Sequence, residues 1–158
     1  MQLHASAIAF SAEGERGDDA WIGLLIMGRS GAGKSELALE LIGHGARLVA
    51  DDQTEVTRAG DRIWLSAPAA IRGMIELRGL GVLRATPLNC ASLAAIVDLD
   101  VTETERLPKP RRMDVLNLSF PVLGKAPGRA FAIGLKHYLL ARQWCDADGL
   151  NANVPERS

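Results

Sequence analysis

The chain has 158 residues, enough for one domain whose core needs no disulfide or metal staple. Its 18 Lys+Arg and 19 Asp+Glu leave a net charge of −1, which removes the bulk electrostatic signature of nucleic-acid or membrane-surface binding. A hydrophobic content of 47% and a mean hydropathy of +0.06 are those of a soluble globular chain, and no apolar run approaches the roughly 18 residues of a membrane span.

No basic stretch followed by an apolar one opens the chain, so no signal peptide is read. Residues 1–10 predict a strand with Leu3, Ala5, Ala7 and Ala9 on one small apolar face. Residues 11–19 predict a polar, mobile loop. Trp21-Ile22-Gly23-Leu24-Leu25-Ile26-Met27 has the length of a buried strand, and a helical pattern then runs from Ser35 to about His44, where Gly45 stops it. Residues 47–50 predict a short strand, paired in parallel with the first apolar run through a right-handed crossover. A hairpin follows, 54–58 and 62–66, turning at Ala59-Gly60-Asp61. Residues 93–99 predict a buried strand. The segment 102–114, broken by Pro108 and Pro110, reads as a basic loop. A strand at 118–123, a turn at 125–128, a last helix at 129–144 and a frayed tail at 146–158 complete the order. Cys90 and Cys145 lack metal-ligand spacing and fit free thiols in a reducing cytoplasm.

Between the first apolar run and its helix stands Gly28-Arg29-Ser30-Gly31-Ala32-Gly33-Lys34-Ser35, which fits G-x-x-x-x-G-K-[ST]. Strand, glycine loop and helix together form a phosphate cradle. The glycines let backbone N–H groups turn toward an anion, and the helix start adds its positive dipole end. Lys34 would reach the outer phosphates and the Ser35 hydroxyl would ligate Mg²⁺. Asp51-Asp52 closes a short apolar strand, where an enzyme of this kind holds its metal. On an extended backbone the two side chains diverge, one toward metal and one toward substrate as general base. The alternative is a cap or turn pair, since Asp favours both. Glu76 and Arg78 precede Gly79-Leu80-Gly81 and offer a metal oxygen and a phosphate contact, or a plain surface ion pair.

Gly28 to Ser35, Leu48-Val49-Ala50-Asp51-Asp52 and Ile75-Glu76-Leu77-Arg78-Gly79-Leu80-Gly81-Val82 together resemble the catalytic domain of the bacterial HPr kinase/phosphorylase family, over roughly residues 2–142. The resemblance implies an α/β P-loop kinase core similar to phosphoenolpyruvate carboxykinase, a mixed sheet with hairpins and a few helices over residues 1–145. It implies a cytoplasmic enzyme that phosphorylates a serine of the phosphocarrier HPr with ATP and Mg²⁺, in a family often hexameric and usually carrying a separate N-terminal domain, of which this chain is a short form. Matched by position, Lys34, Asp52, His4 and Arg106 are catalytic, Ser35 and Glu76 hold metal, and Arg129 falls in a phosphate-linked motif, while the residues themselves offer Asp51 as a further metal ligand and Arg78 as a phosphate or substrate contact. On the residues alone, His4 is an ordinary strand residue and Arg106 a solvated loop charge. Pro108 stands where the family tends to have glycine, and the motif tied to the reverse, phosphorolytic direction is matched only in Gly128-Arg129. Two further expectations stay open: a nucleotide-binding regulatory module with little catalysis, and a related kinase with a different serine-bearing substrate.

Overall fold

The computed structural model describes residues 1–12, 17 and 20–141. Most of the predicted loop at 11–19, the end of the predicted last helix at 142–144, Cys145 and the predicted tail lie outside the described residues.

The uninterrupted run Trp21–Met27 forms β3, at the centre of a nine-stranded mixed sheet. It pairs antiparallel with β2 (Ser6–Ser11) on one side and parallel with β9 (Ala91–Thr102) on the other. Side chains alternate between two buried clusters. Ile22, Leu24 and Ile26 join Ile8 and Phe10 beneath α1 (Lys34–Gly43) and α2 (Phe131–Ala141), which contribute Leu37, Leu41, Leu135 and Leu139. Leu25 turns the other way, with Ala5, Ala7 and Ala9, toward Val56, Ile63 and Leu65. Burial on both faces explains why these strands read as continuous apolar runs.

A two-residue strand β1 (Gln2–Leu3) pairs with β5 (Thr54–Ala59), which forms the expected hairpin with β6 (Arg62–Ser66) around Gly60 at φ 64°. A second hairpin, β7 (Met74–Leu77) and β8 (Gly81–Arg84), stands apart as its own two-stranded sheet and leans on α1. The far edge of β9 carries β6 at its start and β11 (Leu118–Lys125) at its end, and β11 pairs with β10 (Arg111–Val115). Helix α1 ends where expected, with His44 as its cap and Gly45 at φ 102°. The fold class is the expected mixed α/β.

Three expectations are corrected. The N-terminal strand is two strands broken at His4-Ala5, and both faces of β2 are buried because Ile8 and Phe10 pack into the helix-side cluster while Ala7 and Ala9 pack into the other. The strand β4 (Arg47–Ala50) does not pair with β3. Both are antiparallel to β2, which lies between them, so they are parallel to each other at one strand's remove. Arg111 and Arg112 are not in the basic loop but begin β10, because the prolines end the irregular stretch rather than extend it.

Gly23 marks a tight point of this core. A Cβ there would lie 2.9 Å from the Ser92 carbonyl oxygen and 3.2 Å from Leu65 Cδ1, beside a shift of register between β3 and β9. Gly23→Ala is expected to lower stability by about 1–3 kcal/mol, as overpacking does. Chemical denaturation checks it, and an unchanged midpoint would show that the backbone there yields freely.

Candidate active site

The cradle is built by β3, α1 and the eight residues overlapping them. Gly28 has φ 154°, and a Cβ on it would lie 2.9 Å from Ala32 Cβ and 3.2 Å from Leu99 Cβ, so only glycine fits. Gly31 and Gly33 have φ 82° and 99°. Ala32 N donates to Arg29 O at 3.0 Å and closes the turn. Gly33 caps α1 without a side-chain hydrogen bond, which leaves the first-turn amides available to an anion. Lys34 is buried, and its Nζ donates to Gly28 O at 2.7 Å and Arg29 O at 3.1 Å, placing its charge inside the loop.

Asp51 is the hub of the site. Its Oδ1 accepts from Ser35 Oγ at 2.7 Å and from Ser6 Oγ at 2.7 Å, and its Oδ2 accepts from Glu76 N at 3.1 Å. The carboxylate is buried, and a buried charge persists where hydrogen bonds satisfy it. The Ser35 and Asp51 oxygens are hard donors in contact, which suits Mg²⁺, an ion that takes one or two protein oxygens and completes its shell with phosphate and water. Among the described residues no cluster of three or more His, Cys, Asp or Glu offers an all-protein cage.

Asp52 turns outward. The divergence from Asp51 was expected, but its cause differs: Asp52 takes φ 65°, a left-handed rather than extended backbone. Its side chain is exposed, and Oδ1 lies 2.7 Å from His4 Nε2. The start of β2 and the end of β4 therefore bring residues 48 apart in sequence into contact. Asp52 N also donates to Ser6 Oγ at 3.4 Å, joining the two aspartates through one hydroxyl.

The remaining predicted residues are distributed around this centre. Glu76 joins it through its backbone, while its side chain and Arg78 are exposed on the β7–β8 hairpin. Arg129 lines a cavity of about 400 Å³ whose other wall is Ala32, Gly33 and Glu36, so it flanks the cradle. Arg106 sits apart from His4 and Asp52. It lines a neighbouring cavity of about 360 Å³ with Arg111, Phe131 and Tyr138, sharing Ala126, Pro127 and Phe131 with the first. Burial pushes the Tyr138 hydroxyl above its ordinary pKa, with the Arg112 charge acting in the opposite sense.

Sequence reasoning missed two residues. Ser6 bridges the aspartates, and Asp100 grips the start of the cradle: both its oxygens accept from Arg29 N, at 3.2 and 3.0 Å. The signal for Asp100 was available. It directly follows the predicted strand 93–99, as Asp51 follows the predicted strand 47–50, although β9 extends through it.

The family model of the HPr serine kinase C-terminal domain matches residues 19–96, which hold the cradle, Asp51, Asp52, Glu76 and Arg78 but not His4, Arg106 or Arg129. The HPr kinase/phosphorylase of Caldanaerobacter subterraneus subsp. tengcongensis is 38% identical over 130 residues, 71% of this chain and 42% of that protein. That of Geobacillus thermodenitrificans is 35% identical over 127 residues, 71% of this chain and 41% of the other. That of Exiguobacterium sp. is 52% identical over 63 residues, 39% of this chain and 20% of the other. The chain thus spans about two-fifths of the length of the relatives it matches most broadly. The HPr(Ser) kinase/phosphatase structure from Coxiella burnetii superposes with a TM-score of 0.68 at 22% identity, covering 90% of this chain and 94% of that one, and shows the shared fold. With the loop and the aspartate pair inside the matched segment, residues 19–96 carry the signature of the HPr serine kinase C-terminal domain family.

Proposed function

We propose that the chain transfers the γ-phosphoryl group of ATP to a serine hydroxyl of HPr. The observation that carries this reading is the side-by-side placement of two aspartates in different states. One is buried against the Ser35 hydroxyl at the end of the cradle, and the other is exposed and held by His4. The names of the relatives supply HPr as the acceptor.

In this reading the cradle amides and Lys34 hold the phosphates, and Arg129 approaches them from the flanking cavity. Ser35 Oγ and Asp51, assisted by Glu76, would hold Mg²⁺, which when bound would supply positive charge to the phosphate oxygens. Asp52 accepts the seryl proton as the seryl oxygen bonds to phosphorus and the bond to the ADP oxygen breaks. His4 holds the Asp52 carboxylate in position, and Arg78 and Arg106 approach the transferring group or the acceptor from the hairpin and the loop. Purified chain with γ-labelled ATP, Mg²⁺ and HPr is expected to place acid-stable label on a serine of HPr. Tight ATP binding with no labelled HPr would overturn the reading.

A further inference from the structure

The β7–β8 hairpin has one packed face and one bare one. Ile75 is 1% exposed, and its cross-strand partner Leu83 packs against the helix-side core. The register sets Glu76 against Val82 and Met74 against Arg84 on the opposite face. There Val82 is 65% exposed and Met74 40%, and Leu80 in the turn is 71% exposed. Half of the large apolar side chains exposed among the described residues thus lie on one short hairpin. The turn itself is well formed: Leu80 N donates to Leu77 O at 3.0 Å, with Gly79 at φ 92° in the third position, as a type II turn requires.

This face borders the site. The Glu76 N–H points away from β8 to Asp51, so the open edge of β7 meets the buried aspartate of the pair. Glu76 and Val82 consequently form a pair without mutual backbone hydrogen bonds, the kind in which side chains stand closer. The bare apolar surface begins directly across from Glu76. A polyphosphate gains nothing from such a surface, whereas a protein that must deliver a serine to Asp52 gains a foothold there. Arg72, Arg78 and Arg84 surround it, and Glu76 is the hairpin's only acid.

We infer that this face docks the acceptor protein, an inference that rests on the transfer reading above. Val82, Leu80 and Met74 take an apolar side chain beside the acceptor serine, and the arginines meet carboxylates at the rim of the partner's surface. The test is steady-state transfer to purified HPr by Val82→Asp and Arg84→Glu, neither of which touches the cradle or the aspartates. For Val82→Asp the KM for HPr is expected to rise by about tenfold, the loss of one well-placed contact, with kcat at saturating HPr, ATP affinity and melting temperature unchanged. Arg84→Glu is expected to raise the same KM and weaken its dependence on salt. A wild-type chain that labels HPr while Val82→Asp keeps its KM overturns the docking face alone. A wild-type chain that labels no HPr overturns the transfer reading and the docking face with it. If Val82→Asp turns an oligomer into a monomer and leaves the KM for HPr unaltered, the face joins copies of this chain and the inference falls.

Discussion

Asp52→Asn is expected to slow phosphoryl transfer to serine by about 10²–10⁴-fold, the usual worth of a positioned general base, while leaving ATP affinity intact. The substitution isolates proton transfer for a structural reason. Asp52 sits at φ 65°, a conformation that asparagine tolerates as readily as aspartate. Its side-chain oxygen can still meet His4 Nε2, 2.7 Å away in the native pair. Asp52→Ala would be a poorer probe, since the left-handed backbone alone would cost roughly 1–2 kcal/mol. Single-turnover transfer from pre-bound ATP measures the step directly. Transfer at the wild-type rate would remove Asp52 from the role of proton acceptor.

The second large effect is on the molecule as much as on its reaction. Asp51→Ala is expected to destabilise the fold by about 3 kcal/mol, since three donors lose their acceptor and each such loss costs about 1–3 kcal/mol when the group is buried. The donors are Ser6 Oγ, Ser35 Oγ and the Glu76 N–H, and Ser6 is fully buried. For a domain of this size that corresponds to a fall of roughly 6–12 °C in melting temperature. Asp51→Asn should fall between the two, because its amide oxygen can still accept from the hydroxyls while its NH₂ faces the Glu76 N–H. Thermal melts of the three proteins check the ranking. A melting temperature for Asp51→Ala equal to wild type would mean that β4, α1 and the β7–β8 hairpin are fastened together elsewhere.

The cradle was legible in the sequence because everything it needs is local: a buried strand, glycines at fixed spacing and a helix start. Asp51 and Asp52 were legible for the same reason, as acids closing a short apolar strand. Residues that arrive by long-range pairing were not. Ser6 reaches Asp51 only because β2 inserts between β3 and β4, and the alternation of small and larger apolar residues in residues 1–10 carries no sign of that neighbour. The same insertion defeated the expected direct pairing of β3 with β4. Arg111 and Arg112 were read as loop because Pro108 and Pro110 dominate the local pattern, whereas pairing with Pro121 and Val122 across β11 makes them strand. His4 and Arg106 were legible through the resemblance alone. One match coincides with a residue in contact with Asp52, and the other with a loop beside α2 and β11.

The place of β2 also constrains how the domain can be dissected. Its two neighbours carry the glycine loop and the aspartate pair, so this one strand sets the spacing between that loop and Asp52. A polypeptide trimmed to residues 19–96, the span of the family match, would retain every glycine of the loop and both aspartates. It would nevertheless lack the strand that joins β4 to the rest of the sheet, leaving raw edges on β3 and β4 open to foreign pairing. Strand β2 is thus a wedge that holds the glycine loop and the aspartate pair at a fixed separation.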